Sequence, residues 1–183
     1  MEEKQGTGTD YEFNAANFMG SFIRVTKTVL VTPSDFFQKM PTAAGYVPPL
    51  IFLTVCLGVS GILAALIAGA EILLFFKVLI AGVIFSFIGA GILHLIARQF
   101  FEGKGGYEGV YRVVAYAGVV NLLTWIPVVG LFAGLYGLYL EIVGLEKIHQ
   151  ITPSQAVVTV LIALAVYIIL ALIVGVPSFG IRF

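Results

Sequence analysis

From Pro48 onward the chain is a series of apolar runs, each close to the roughly 20 residues that a helix needs to cross a bilayer. Five stand out: Pro48 to Ala70, Leu73 to Ala97, Val110 to Ile126, Val128 to Gly144, and Gln155 to Val176. Composition agrees with a membrane protein. Of 183 residues, 60% are hydrophobic and 11% charged, where a soluble domain has about a quarter charged. The third and fourth runs meet at Trp125-Ile126-Pro127, where the proline breaks the helix and predicts a tight hairpin. Both runs are short. Re-entrant half-spans are the rival reading, but Tyr107 to Arg112 and Leu145 to His149 can extend the two helices to full spans. Trp125 suits the aromatic belt at a membrane surface.

Ahead of the spans, residues 1–13 are polar, acidic and Gly/Thr-rich and read as a disordered tail. Residues 14–46 read as cytoplasmic amphipathic and short helices. Phe18, Phe22, Val25 and Val29 recur at helical spacing, with Met19 and Ile23 beside them and Arg24 and Lys27 off the stripe. That pattern suits a helix lying in the membrane interface, or one packed on the bundle. In "TPSDFFQKMP", Thr32 is placed to cap a short helix, Pro33 fits its first position and Asp35 lies three after the cap. "TPSQ" at 152–155 repeats the start signal before the last run. The expected fold is all-α: a polytopic bundle of five transmembrane helices (48–70, 73–97, 107–126, 128–149 and 155–176) within residues 47–183, preceded by an amphipathic interfacial helix.

With the N-terminus inside, eight of the ten Lys and Arg residues fall on or near the inner face, and only Lys77 and Arg182 outside. This bias predicts a cytoplasmic N-terminus and, after five spans, an external C-terminus.

Glu141 sits well inside the fourth run, and an unpaired charge at membrane depth costs of order 3 kcal/mol. Arg112 lies 15 residues before Pro127 and Glu141 lies 14 after it. At a rise of 1.5 Å per residue both sit roughly 20 Å below the outer turn, which makes them natural partners. His94 is expected at a similar depth, Asn121 deeper, and Tyr116, Tyr136 and Tyr139 nearby as hydrogen-bond donors. Gly82, Ser86 and Ala90 precede His94, and Gly130, Gly134, Gly137 and Gly144 flank Glu141, as small-residue stripes where helices approach closely. The polar cluster Arg112, Glu141, His94, Asn121 and Tyr116 is then either a structural clamp or a relay and binding pocket. Glu146, Lys147 and His149 are expected to reach water.

Other chemistry is not encoded. The single cysteine, Cys56, permits no intrachain disulfide and no cysteine-based metal site. "GKGG" at 103–106 lacks the rest of a phosphate loop. No nucleophile–base set appears, no apolar stretch near residue 1 reads as a signal peptide, and zero formal net charge points away from nucleic acid. Neither cofactor, metal nor enzymatic activity is expected.

"FFQKMPTAAGYVPPLIFL", with "YRVVAYAGVVNLLTWIPVVGLFAGLYGLYLEIVGLEKIHQITPSQAVVTVLI", resembles the Yip1 family of five-span membrane proteins over about residues 18–176. The Tyr-Arg start of span three, the Trp-Ile-Pro turn and the Gly/Tyr-rich fourth span carry the likeness. The resemblance implies a cytosolic N-terminus, five spans and an external or lumenal C-terminus. Eukaryotic relatives act in vesicle traffic and bind Rab-type GTPases and one another. Their Asp-Leu-Tyr-Gly-Pro signature is here only Ala44-Gly45-Tyr46-Val47-Pro48, and the N-terminal region is short, which puts GTPase binding in doubt. The chain looks more like a prokaryotic member, placed in the cytoplasmic membrane. The expected function is a non-enzymatic protein that organises a membrane or membrane complex, with the lipid bilayer, itself or other membrane proteins as partners. The alternative is a small transporter or channel for protons, ions or a small solute using Glu141, Arg112 and His94.

Overall fold

The structure is a computed structural model that describes residues 11–68 and 72–174. Among these residues every regular element is helical. A 3₁₀ turn at Ala15–Asn17 leads into α1 (Phe18–Val31) and α2 (Pro33–Lys39). Then come α3 (Val47–Ala68), α4 (Ile72–Phe101), α5 (Tyr107–Ala117), a 3₁₀ segment (Gly118–Leu123), α6 (Pro127–His149) and α7 (Pro153–Val174). Four segments are long and apolar enough to cross a membrane: Val47–Ile67, Ile72–Phe101, Pro127–His149 and Pro153–Leu170. Their sides carry large exposed apolar residues such as Leu66, Phe76, Phe132 and Ile168, as lipid-facing surfaces do. The chain is thus a multi-pass integral membrane protein. The expected span ends at 69–70 and 175–176, the tail before residue 11 and the C-terminus lie outside the described residues.

The boundaries follow the local chemistry. Pro127 occupies the first turn of α6, with Ile126 extended before it, and the Trp125 indole N–H donates to the Leu122 carbonyl. Gln150 ends α6 in the left-handed region at φ 54°, satisfying the usual need for such a residue just past a helix. At α7 the start signal is a complete capping box: Thr152 N donates to Gln155 Oε1 at 2.9 Å, and Gln155 N donates to Thr152 Oγ1 at 3.3 Å. At α2 the same spacing gives no side-chain cap. Asp35 turns instead to Lys39, at 2.7 Å, one helical turn on.

The third run departs from the expected helix over 107–126. It is α-helical for only 11 residues and tightens to 3₁₀ at Gly118. Side chains reinforce the tighter turns: Asn121 donates to Gly118 O, and the Thr124 hydroxyl to Asn121 O, which also accepts from Thr124 N. The run is also not lipid-facing. Val110 to Val113 and Ala115 to Val120 are buried, making α5 the central post around which α3, α4 and α6 pack.

Val113 lies against Gly144, and Val120 against Gly137, so α5 and α6 keep one register over this stretch. Arg112 is therefore level with Leu145, one turn from Glu141. The equal-depth expectation for Arg112 and Glu141 fails on this register.

The glycine stripe on α6 is only partly a close approach. A methyl group on Gly144 would overlap Val113, whereas nothing lies within 4 Å of one built on Gly134. Gly144→Ala should therefore destabilise the bundle by about 1–3 kcal/mol through overpacking. Gly134→Ala should stabilise it by about 0.5–1 kcal/mol through backbone entropy. Melting temperatures of the two variants in detergent check the opposite signs.

Candidate functional site

Arg112 is fully buried, and what faces it is the N-terminal segment. Its Nη2 pairs with the Glu12 carboxylate, and its Nη1 donates to the Gly45 carbonyl at 2.7 Å. Glu108, one turn earlier on α5, accepts from Gly45 N at 2.6 Å. Gly45 is thus held at both ends by α5, with φ at +89°. Nothing lies within 4 Å of a Cβ built there, so the backbone angle, not space, requires glycine. Next to it the Tyr46 ring lies 5.4 Å from Tyr111, which stacks on Phe87 at 4.1 Å.

Tyr11 to Phe13, read from sequence as part of a disordered tail, are placed and packed. Phe13 is buried between Phe18, Phe52 and Tyr116, and its backbone N–H donates to the Tyr116 hydroxyl at 3.2 Å. The Tyr11 hydroxyl donates to Asp35 at 3.2 Å, and Lys39 donates to Tyr11 at 3.2 Å. The hydrogen bond from Lys39 holds the Asp35 carboxyl below its ordinary range. Tyr116 also packs edge-on against Phe36 of α2. One arginine and one tyrosine of α5 therefore anchor residues 11–13, α2 and the turn before α3.

The five residues expected as one cluster fall in three places. Arg112 and Tyr116 hold the N-terminal segment. Glu141 makes no ion pair among the described residues, which corrects its expected pairing with Arg112. It shares a cavity of about 330 Å³ with Asn121, Ser86, Gly134 and Gly137. A second cavity of about 340 Å³, with Phe85 and Tyr167 in its wall, reaches Glu141 from the α7 side. His94 joins neither: its ring stacks on His149, 5.3 Å away.

His149 corrects another expectation, since it is buried rather than in water. Its carbonyl accepts from Lys104 N at 3.1 Å and its Nδ1 from Gly105 N at 3.2 Å, tying down the loop between α4 and α5. Glu146 and Lys147 pair with each other, each about a quarter exposed. Among the described residues no group of three or more His, Cys, Asp or Glu is arranged to hold a metal.

Glu12, Glu108 and Gly45 escaped the sequence reading. No sequence signal pointed to them, because ideal-helix depth supplied Arg112 with an acid in Glu141; the observed register leaves the arginine to draw its acid from the N-terminal segment.

Compared with known families, residues 27–175 match the family model described as Yip1 domain. No curated protein and no solved structure matches the chain.

Removing Glu12 strands a buried cation. Glu12→Ala should lose about 3–5 kcal/mol, and adding Arg112→Met should recover most of it. A double-mutant cycle between Arg112→Met and Glu141→Gln should show coupling below about 0.5 kcal/mol. Gly45→Ala should cost about 1–2 kcal/mol, the penalty of a left-handed alanine. Denaturant or thermal unfolding in detergent reads all three.

Proposed function

The chain belongs to the Yip1 family, and from that premise we propose that it is a non-enzymatic, five-span protein organising a membrane or a membrane complex. Its N-terminal helix α1 lies in the inner interface and makes that contact with lipid.

The observation that carries this reading is the two-sided surface of α1. One side, Ser21, Val25 and Val29, is buried against the bundle. The other exposes Met19 at 66% and Ile23 at 59%, with Lys27 one turn after Ile23 at its edge. A helix with protein on one flank and bare apolar residues edged by a cation on the other suits a bilayer surface beside its own spans. Tyr136, within α6, donates to the Leu30 carbonyl at 2.7 Å, which ties the end of α1 to a transmembrane helix.

The five-span reading rests on length. Eleven α-helical and six 3₁₀ residues of the third run extend about 28 Å, close to the roughly 30 Å of a hydrocarbon core. The run then crosses as a buried central post. The bias of Lys and Arg puts the N-terminus on the cytoplasmic side. Helix–helix contacts with other membrane proteins, or with a second copy, are the remaining partners in this reading.

The test uses the full chain with a fluorophore at position 23 or 28, about 140° apart on α1, placed through cysteine in a Cys56→Ala background. Nitroxides carried on lipid tails should quench position 23 more strongly than position 28. Met19→Glu with Ile23→Glu should leave stability within about 0.5 kcal/mol, since both side chains are exposed. The same pair should abolish any narrowing of vesicle diameter that the parent protein produces on reconstitution. Equal quenching at both positions, or an unchanged vesicle effect, refutes the reading.

A further inference from the structure

We propose that the cavity beside Glu141 is a binding site for a small primary ammonium ion carrying an apolar body. The site lies between α3, α4, α5 with its 3₁₀ extension, and α6, and is separate from the surface of α1.

Charge comes first. Glu141 lines both cavities that flank α6, and no Lys, Arg or His appears in the wall of either. Arg112, the nearest arginine along the neighbouring helix, is held by Glu12 and Gly45. A carboxylate at this depth, eight residues from the inner end of α6, is short of one positive charge.

The hydrogen-bond inventory says what kind of cation fits. The Ser86 hydroxyl donates its one proton to the Val83 carbonyl at 2.7 Å and so offers the cavity no donor. The Asn121 amide nitrogen turns to the Gly118 carbonyl at 2.8 Å, leaving the amide oxygen as the acceptor. The polar atoms around this cavity are therefore mainly acceptors: a carboxylate, a hydroxyl oxygen and an amide oxygen. An –NH₃⁺ group brings three donors and no acceptor, the complement of that set.

Size and wall chemistry set the rest of the ligand. The cavity holds about 330 Å³, at the lower end of small-molecule sites, and its other walls are Leu53, Leu57, Val114, Val120 and Leu138. A bare metal ion would leave most of that space empty and find few oxygens at once. An alkyl or aryl group fills it. Small residues keep the space open: Ala117 and Gly118 stand across from Glu141, and Gly134 has nothing within 4 Å of a would-be Cβ.

The experiment is a titration of the full chain in detergent with benzylammonium chloride at constant ionic strength, read by calorimetry and by melting temperature. Benzyl alcohol, sodium chloride and potassium chloride serve as matched probes. The expected result is saturable 1:1 binding and a raised melting temperature with benzylammonium alone. Glu141→Gln should weaken binding at least ten-fold. Gly134→Leu, at an exposed lining position with nothing within 4 Å of a built Cβ, should do the same with the carboxylate intact. Three results overturn the proposal. One is absence of saturable binding by the parent protein, which makes Glu141 a protonated structural carboxyl. Another is equal binding of benzyl alcohol, or of benzylammonium by Glu141→Gln, which makes the effect partition into detergent or lipid. The third is sodium or potassium matching the amine, which makes the cavity an ion site. None of these outcomes bears on where α1 lies.

Discussion

A permanently charged guanidinium with no exposed surface is the constraint around which this bundle is organised. Arginine does not shed its proton, so burial can be tolerated only with a carboxylate and good acceptors in reach. Glu12 and the Gly45 carbonyl supply them. Meeting that demand fixes three otherwise distant pieces: the segment before α1, the turn before α3, and α5 itself. The aromatic layer of Phe13, Phe36, Phe52 and Tyr116 then closes over the same spot. The polar contact sets position, and the ring packing covers the guanidinium while the Glu12 side chain stays 21% exposed.

The same demand explains why Glu141 is left over. Arg112 stands level with Leu145, one turn from Glu141, and the two charges acquire separate environments. One is a closed pair; the other faces open space on two sides of α6. The glycine pattern follows that division, dense contact at Gly144 and none at Gly134.

Much of the architecture was legible in the sequence because it depends on local signals of large size. Four long apolar helices, the Trp125–Pro127 turn and the start of α7 were all read from run length, proline placement and capping residues. The interior of the third run was not, because the switch at Gly118 is decided by what surrounds it, including Leu53 packed onto that glycine. The site was legible in its members and not in its pairing. Arg112, Tyr116, Asn121, His94 and Glu141 all occupy interior positions, yet depth counted along ideal helices joined the wrong ones. Residues 11–13 were misread since their composition is that of a free tail. Their order comes from Arg112, Tyr116 and Asp35, distant partners that no local pattern announces.

The pair that closes the structure is 100 residues apart in sequence. A ribosome adding about 5–20 residues per second delivers Arg112 on the order of 5–20 s after Glu12. During that interval α1 can settle on α2 and α3, but Glu12 has no cation to meet at its final seat. The contact that closes the N-terminal segment forms only after α3 and α4 have been made.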